Sequence, residues 1–239
     1  LFVAQVTSPP QAESARREQA MQWSVQADAA ACLGLEGALT DPSSDIRIRA
    51  ATALYAKCNR AQTGGRAAGQ LCRSADLGTS SAAVYLLLGY ASRAEAEPCL
   101  RKPRPNWNMV KLATSTRPVA AALAARVGLA RLGDPAAVAE LRSAFGKNTV
   151  DEALFLLAAL PDIEDREALE GAIRLLDDAR ETPGVKSGSK RQVRDAAADA
   201  LVQRFQIKPG YPLAANGKRY SESEISAVRE PARGILNRK

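Results

Sequence analysis

The residue types that could carry chemistry in this chain are few, and their spacing first narrows what the chain can do. Histidine is absent from all 239 residues, which removes the commonest general base and the commonest zinc ligand together. The thiols are Cys32, Cys58, Cys72 and Cys99. No two form a CxxC pair, so two readings stand: small core residues bearing free thiols, or one or two disulfides made in an oxidising compartment. If all four pair, three connectivities exist. Cys58–Cys99 would join residues just past the ends of neighbouring parallel helices, and Cys58–Cys72 would close a short loop around Gly64-Gly65.

The carboxylates Asp162, Glu164, Asp165, Glu167 and Glu170 could be read as a metal or acid–base cluster. They could equally open a helix, where acidic side chains suit the positive end of the dipole and face solvent; the second reading is the expectation. Three basic clusters stand out: Arg101-Lys102-Arg104, Lys186-Lys190-Arg191-Arg194 and Arg229-Arg233-Arg238-Lys239. With a net charge of +7, they permit phosphate contacts without demanding them. Trp107 lies close to the first cluster, in the proline-rich run EPCLRKPRPNWN. Beside Arg101, Lys102 and Arg104 it has the character of a recognition anchor; folding back over the helices is the alternative. No nucleophile paired with a base, no phosphate-binding glycine loop and no metal cage is legible. No catalytic residue, metal or cofactor is therefore expected.

The elements that must position these residues read as helices. Apolar residues make up 46% of the chain and aromatics only 5%, so the core must be Leu, Val, Ile and Ala, which suits closely packed helices. No apolar run reaches membrane-spanning length. Arg117–Phe145 is the clearest stretch. Val119, Leu123, Val127, Ala130 and Leu132 form one helical stripe, and Val138, Leu141 and Phe145 another. Between them Gly133 can end a helix in the left-handed region, Asp134 can cap the next, and Pro135 fits its first turn.

Along the chain, Ser8-Pro9-Pro10-Gln11 reads as a capping box for one long helix to about Leu39, and Thr40–Asp45 as a corner before the helix Ile46–Ala56. Thr79–Tyr90 reads as a buried helix, Ala94–Asn108 as an irregular connection, and Asn108–Thr114 as a short helix. Thr149-Val150-Asp151-Glu152 is a second capping box. A helix should run from the Asp162/Asp165 region to Arg180, and another from about Lys190 to Gln206. Asn216-Gly217, between Tyr211 and Tyr220, signals a hairpin, and Ser221-Glu222-Ser223-Glu224 caps a last helix.

The stretch Leu39–Leu54, LTDPSSDIRIRAATAL, resembles the corner and second helix of a HEAT repeat. Leu132–Phe145 resembles the corner of the related PBS-lyase-type HEAT-like units, and Lys190–Phe205 the arginine-and-alanine helix once more. The resemblance implies an all-α solenoid of stacked antiparallel helix pairs over residues 8–206. Residues 207–239 are expected to pack on it as a hairpin and capping helix. With no catalytic group legible, a non-enzymatic scaffold that binds another protein through the concave face of that solenoid is expected, with Arg101, Lys102, Arg104, Trp107, Arg191 and Arg194 as candidate contacts. Nucleic-acid binding, on an architecture similar to HEAT-like DNA glycosylases, is the first alternative. A lyase or chaperone of chromoproteins is the second. The apolar start LFVAQVTSPP and the paired thiol count lean toward an extracytoplasmic location over a cytoplasmic one. Oligomeric state is not legible.

Overall fold

The computed structural model describes residues 12–26, 28–58, 63–65, 68–69, 82–103, 110–112, 115–117, 121–182, 191–213 and 219–238. The chain is built from helices: α1 (Glu13–Gln26), α2 (Ala29–Ala38), α3 (Ser44–Lys57), α4 (Ala82–Leu88), α5 (Arg93–Leu100), α6 (Ala121–Arg131), α7 (Pro135–Gly146), α8 (Val150–Ala158), α9 (Arg166–Arg174), α10 (Val193–Phe205) and α11 (Glu222–Leu236). A short ribbon, β1 (Val110–Leu112) paired antiparallel with β2 (Ser115–Arg117), is the one sheet among the described residues.

Local chemistry explains most helix ends. Asp134 accepts the Ala137 N–H at 2.9 Å and Pro135 takes the first turn of α7, while Gly133 leaves α6 at φ +78°. Thr149 with Glu152, and Ser221 with Glu224, form reciprocal capping boxes at α8 and α11. Pro161 ends α8 in a 3₁₀ turn, Leu160–Asp162.

Several expectations are corrected. The long N-terminal helix is two helices, because Asp28 accepts the Ala31 N–H at 2.7 Å and starts α2 afresh. The Ser8–Gln11 box and the Asn216-Gly217 turn lie outside the described residues. Residues 93–100 are helical despite Pro98, since buried Ala96 and Leu100 hold the turn that the proline weakens. The expected helix at 108–114 gives way to β1, and Arg117 belongs to β2 rather than to α6. Pro118 follows Arg117 and disfavours a helical residue before it. The helix after Asp165 stops at Arg174 and continues as a 3₁₀ turn only to Asp177, short of Arg180.

Packing follows chain order. Helices α1, α2 and α3 touch one another, α3 meets α4, and α4 meets α5 and α6; α6 then meets α7, α7 meets α9, α8 meets α10, and α11 closes on α9 and α10. One apolar cluster runs from Ile48 and Ala51 on α3 to Leu236 on α11. A second, smaller one holds Leu35, Ala50, Ala53 and Leu54, with Trp23 and Cys58 against it. Alanine and glycine let the helices approach closely. A Cβ added to Gly128 on α6 would lie 2.6 Å from the Tyr85 carbonyl oxygen of α4 and 2.9 Å from a Leu100 methyl of α5.

Gly128→Ala is therefore expected to lower unfolding free energy by about 1–2 kcal/mol, overpacking exceeding the gain in helix propensity. Gly146→Ala, in open space, is expected to cause no loss. Urea denaturation of both variants checks this, and an unchanged midpoint for Gly128→Ala would refute the close approach of α4 and α6.

Candidate interaction surfaces

Within the basic clusters, Arg101, Arg191, Arg194 and Arg229 are paired with carboxylates. Arg101, at the end of α5, donates through Nη2 to Asp134 Oδ2 at 2.7 Å and also pairs with Glu97. Arg191 donates to Asp199 at 2.6 Å, with its guanidinium over the Tyr220 ring at 5.8 Å. Arg194 pairs with Glu222 at the start of α11, and Arg229 with Asp177 at 2.5 Å. Of the other candidates, Lys102 is exposed, while Arg104, Trp107 and Cys72 lie outside the described residues. Of the expected contact set, Arg101, Arg191 and Arg194 are thus each paired with a carboxylate.

Two rows of polar links emerge. In the first, one aspartate caps a helix and accepts an arginine from the helix two elements earlier. Arg142 on α7 clamps Asp165 through Nε at 2.9 Å and Nη2 at 2.7 Å, and Asp165 also accepts the Ala168 N–H that starts α9. Arg101 and Asp134 repeat the arrangement from α5 to α7, and Arg16 on α1 clamps Asp41 ahead of α3 at 2.8 Å. Arg166 of α9 reaches Asn237 beyond α11 at 3.3 Å. The Arg16 and Arg142 guanidinia hold Asp41 and Asp165 below the usual carboxylate range; for Asp134 the Ala137 N–H is the larger cause and Arg101 the smaller.

The second row ties the C-terminal ends of alternate helices. Tyr90, just past α4, donates its hydroxyl to Asp162, just past α8. Arg131, in the last turn of α6, stacks on the Tyr90 ring at 3.7 Å and lies 3.8 Å from Asp162. Arg204 of α10 donates to the Ile163 carbonyl at 3.1 Å. Burial, and then the Asp162 carboxylate, raise the Tyr90 hydroxyl well above its ordinary pKa, so it stays a donor. Asp162 is only 2% exposed, which corrects its expected place on a solvated helix start. Its partner lies 72 residues away, beyond any local spacing signal. No group of His, Cys, Asp or Glu among the described residues could hold a metal ion.

The thiols also pair differently from the two favoured connectivities. Cys58 bonds Cys32, with Cα atoms 5.8 Å apart. The break at Asp28 turns α2 against α3, which brings Cys32 to the end of α3 where Cys58 caps it. Cys99 is also disulfide-bonded, through a partner outside the described residues.

What remains open is a groove along the α6–α7 hairpin. One part, of about 410 Å³, is lined by Leu123, Arg126, Ser143, Lys147 and Asn148 among others. The adjoining part, of about 300 Å³, is lined by Leu100, Pro103, Ala122, Leu129 and Ala136 among others. Arg126 and Glu140, paired at 2.5 Å, line both parts. Neither residue was conspicuous in sequence, because they meet only when the Gly133 corner folds α7 back on α6. At the C-terminal end, Tyr220 is buried, donates to Asp199 at 2.6 Å, and sits 5.3 Å from the Tyr211 ring. Buried Asp195 accepts the backbone N–H groups of Gln192 and Tyr220. No protein-family model matches the chain, and no curated protein is similar to it in sequence.

Two outcomes follow. Asp165 has a lowered folded pKa relative to the ordinary 3.8, so its stabilisation is complete above about pH 4 and is lost as pH falls through the lowered value. Asp165→Asn keeps a good cap and loses the charge. It should be less stable than the parent at pH 7 and converge with it in strong acid; a gap that persists in acid would contradict the ion pair. Tyr220→Phe should cost about 1.5–3 kcal/mol, the worth of a buried bond to a carboxylate, read from thermal or urea unfolding.

Proposed function

We propose that the chain is a HEAT-like helical-repeat scaffold that binds another protein and performs no reaction of its own. The observation that carries the reading is the pair of polar rows. The aspartates that cap α7 and α9 take arginines from α5 and α7, and the C-terminal ends of α4, α6, α8 and α10 are linked through Tyr90, Arg131, Asp162 and Arg204. Links that step from one helix to the next but one are what a stack of helix pairs requires. Such a stack presents a long surface, and here that surface includes the α6–α7 groove.

Arg101 stays a contact in this reading, since it lines this groove beside Asp134, and the contact extends to the groove's other residues. Arg101, Arg191 and Arg194 already face carboxylates, so they offer little net field to a phosphate backbone, which weakens the nucleic-acid reading. The groove carries both signs of charge over apolar floor residues, a character suited to a polypeptide. The Cys32–Cys58 bond and the disulfide at Cys99 support an extracytoplasmic location. No helix among the described residues is long and apolar enough to cross a membrane.

A photo-crosslinking residue at Ser143, in the groove, and another at Ser226, on the exposed face of α11, test the assignment in a native extract. A discrete adduct from position 143 that is absent from position 226 is expected. Equal labelling from both sites, or salt-sensitive retention of DNA with no protein adduct, would overturn it.

A further inference from the structure

We propose that α1–α3 is an end unit that opens separately from the other helices, and that the Cys32–Cys58 disulfide holds it closed. The unit has its own core. Leu35, Ala50, Ala53 and Leu54 form a cluster separate from the one that runs from α3 to α11, with Leu39 packed against both. Among the described residues, its substantial helix contact with the remainder is α3 against α4, where Ile48 and Ala51 belong to the larger cluster. Helix α1 closes mainly by laying Trp23 over Gly34, where an added Cβ would lie 2.5 Å from the indole, and by the Arg16–Asp41 pair. Meanwhile Met21, Val25 and Leu33 stay exposed on α1 and α2.

Helices α1 and α2 bury only Ala20, Ala31, Cys32 and Leu35 among their apolar residues, which puts them at the low end of local stability. The disulfide compensates by joining residues 26 apart on α2 and at the end of α3, which removes many of the conformations an opened unit could explore. Reduction by a dithiol breaks the Cys32–Cys58 bond. The dithiol supplies two electrons and two protons and leaves as its own disulfide, and Cys32 and Cys58 become thiols. With the bond gone, α1 and α2 open and uncover Leu35 and Leu54, so the end of the molecule responds to redox conditions.

Hydrogen exchange with mass spectrometry on the full chain tests this, comparing the parent with Cys32→Ser/Cys58→Ser in the absence of reductant, so that the bond at Cys99 is untouched. Amides of α1 and α2 should exchange about 100-fold faster in the double variant, while α8, α9 and α10 keep their protection. Gly34→Ala, which crowds Trp23 with the disulfide intact, should accelerate α1 and leave the bonded α2–α3 pair protected. Uniform acceleration across the chain, including global unfolding of the double variant, would show that the unit is not separate. Unchanged exchange in α1 and α2 would show that the disulfide does not hold it.

Discussion

The packing depends on a carboxylate that serves two helices at once. Asp134 and Asp165 each begin a helix by accepting a backbone N–H, and each takes an arginine from the helix two elements before. A cap alone fixes where a helix starts, and an exposed ion pair alone contributes little. Joined on one carboxylate, they make helix initiation and helix placement the same event. The geometry of the cap orients the oxygen that the arginine must find. Short helices packed on one another, each near the lower limit for independent stability, need that coupling.

The second row adds to the constraint at the same corners, where Arg131 and Asp134 flank Gly133 and Asp162 closely precedes Asp165. Arg131 sits in the last turn of α6 and Arg204 near the end of α10, where cations suit the negative end of the helix dipole. Tyr90 gives Arg131 a ring to lie on and gives Asp162 a proton to accept. Burying Asp162 without donors would be costly, so this cluster fixes the relative positions of the ends of α4, α6 and α8. The interior that these links border is largely Leu, Val, Ile and Ala, and close approaches such as Gly128 against Tyr85 set how near the helices lie.

Much of this was legible where the signal is local. Gly133-Asp134-Pro135, Thr149 with Glu152, and Ser221 with Glu224 act within three or four residues, and each does in the structure what its spacing implies. The break at Asp28 was hidden because apolar residues continue on both sides of it. The helix through Pro98 was hidden because buried Ala96 and Leu100 outweigh a local penalty. The β1–β2 ribbon leaves one sign in the sequence, the proline after Arg117, which disfavours a helical residue before it. The disulfide partner of Cys58 followed from the Asp28 break, so missing the break also misdirected the pairing.

The candidate surface was the least legible part, for a physical reason. A cluster of arginines in sequence looks like a free positive patch because the carboxylates that neutralise it lie far away along the chain: 33 residues for Arg101 and Asp134, 28 for Arg194 and Glu222. The same folding that neutralises those patches creates the α6–α7 groove, whose bridging pair, Arg126 and Glu140, is unremarkable until the corner closes. Charge density along this sequence therefore reports first how its helices are tied together.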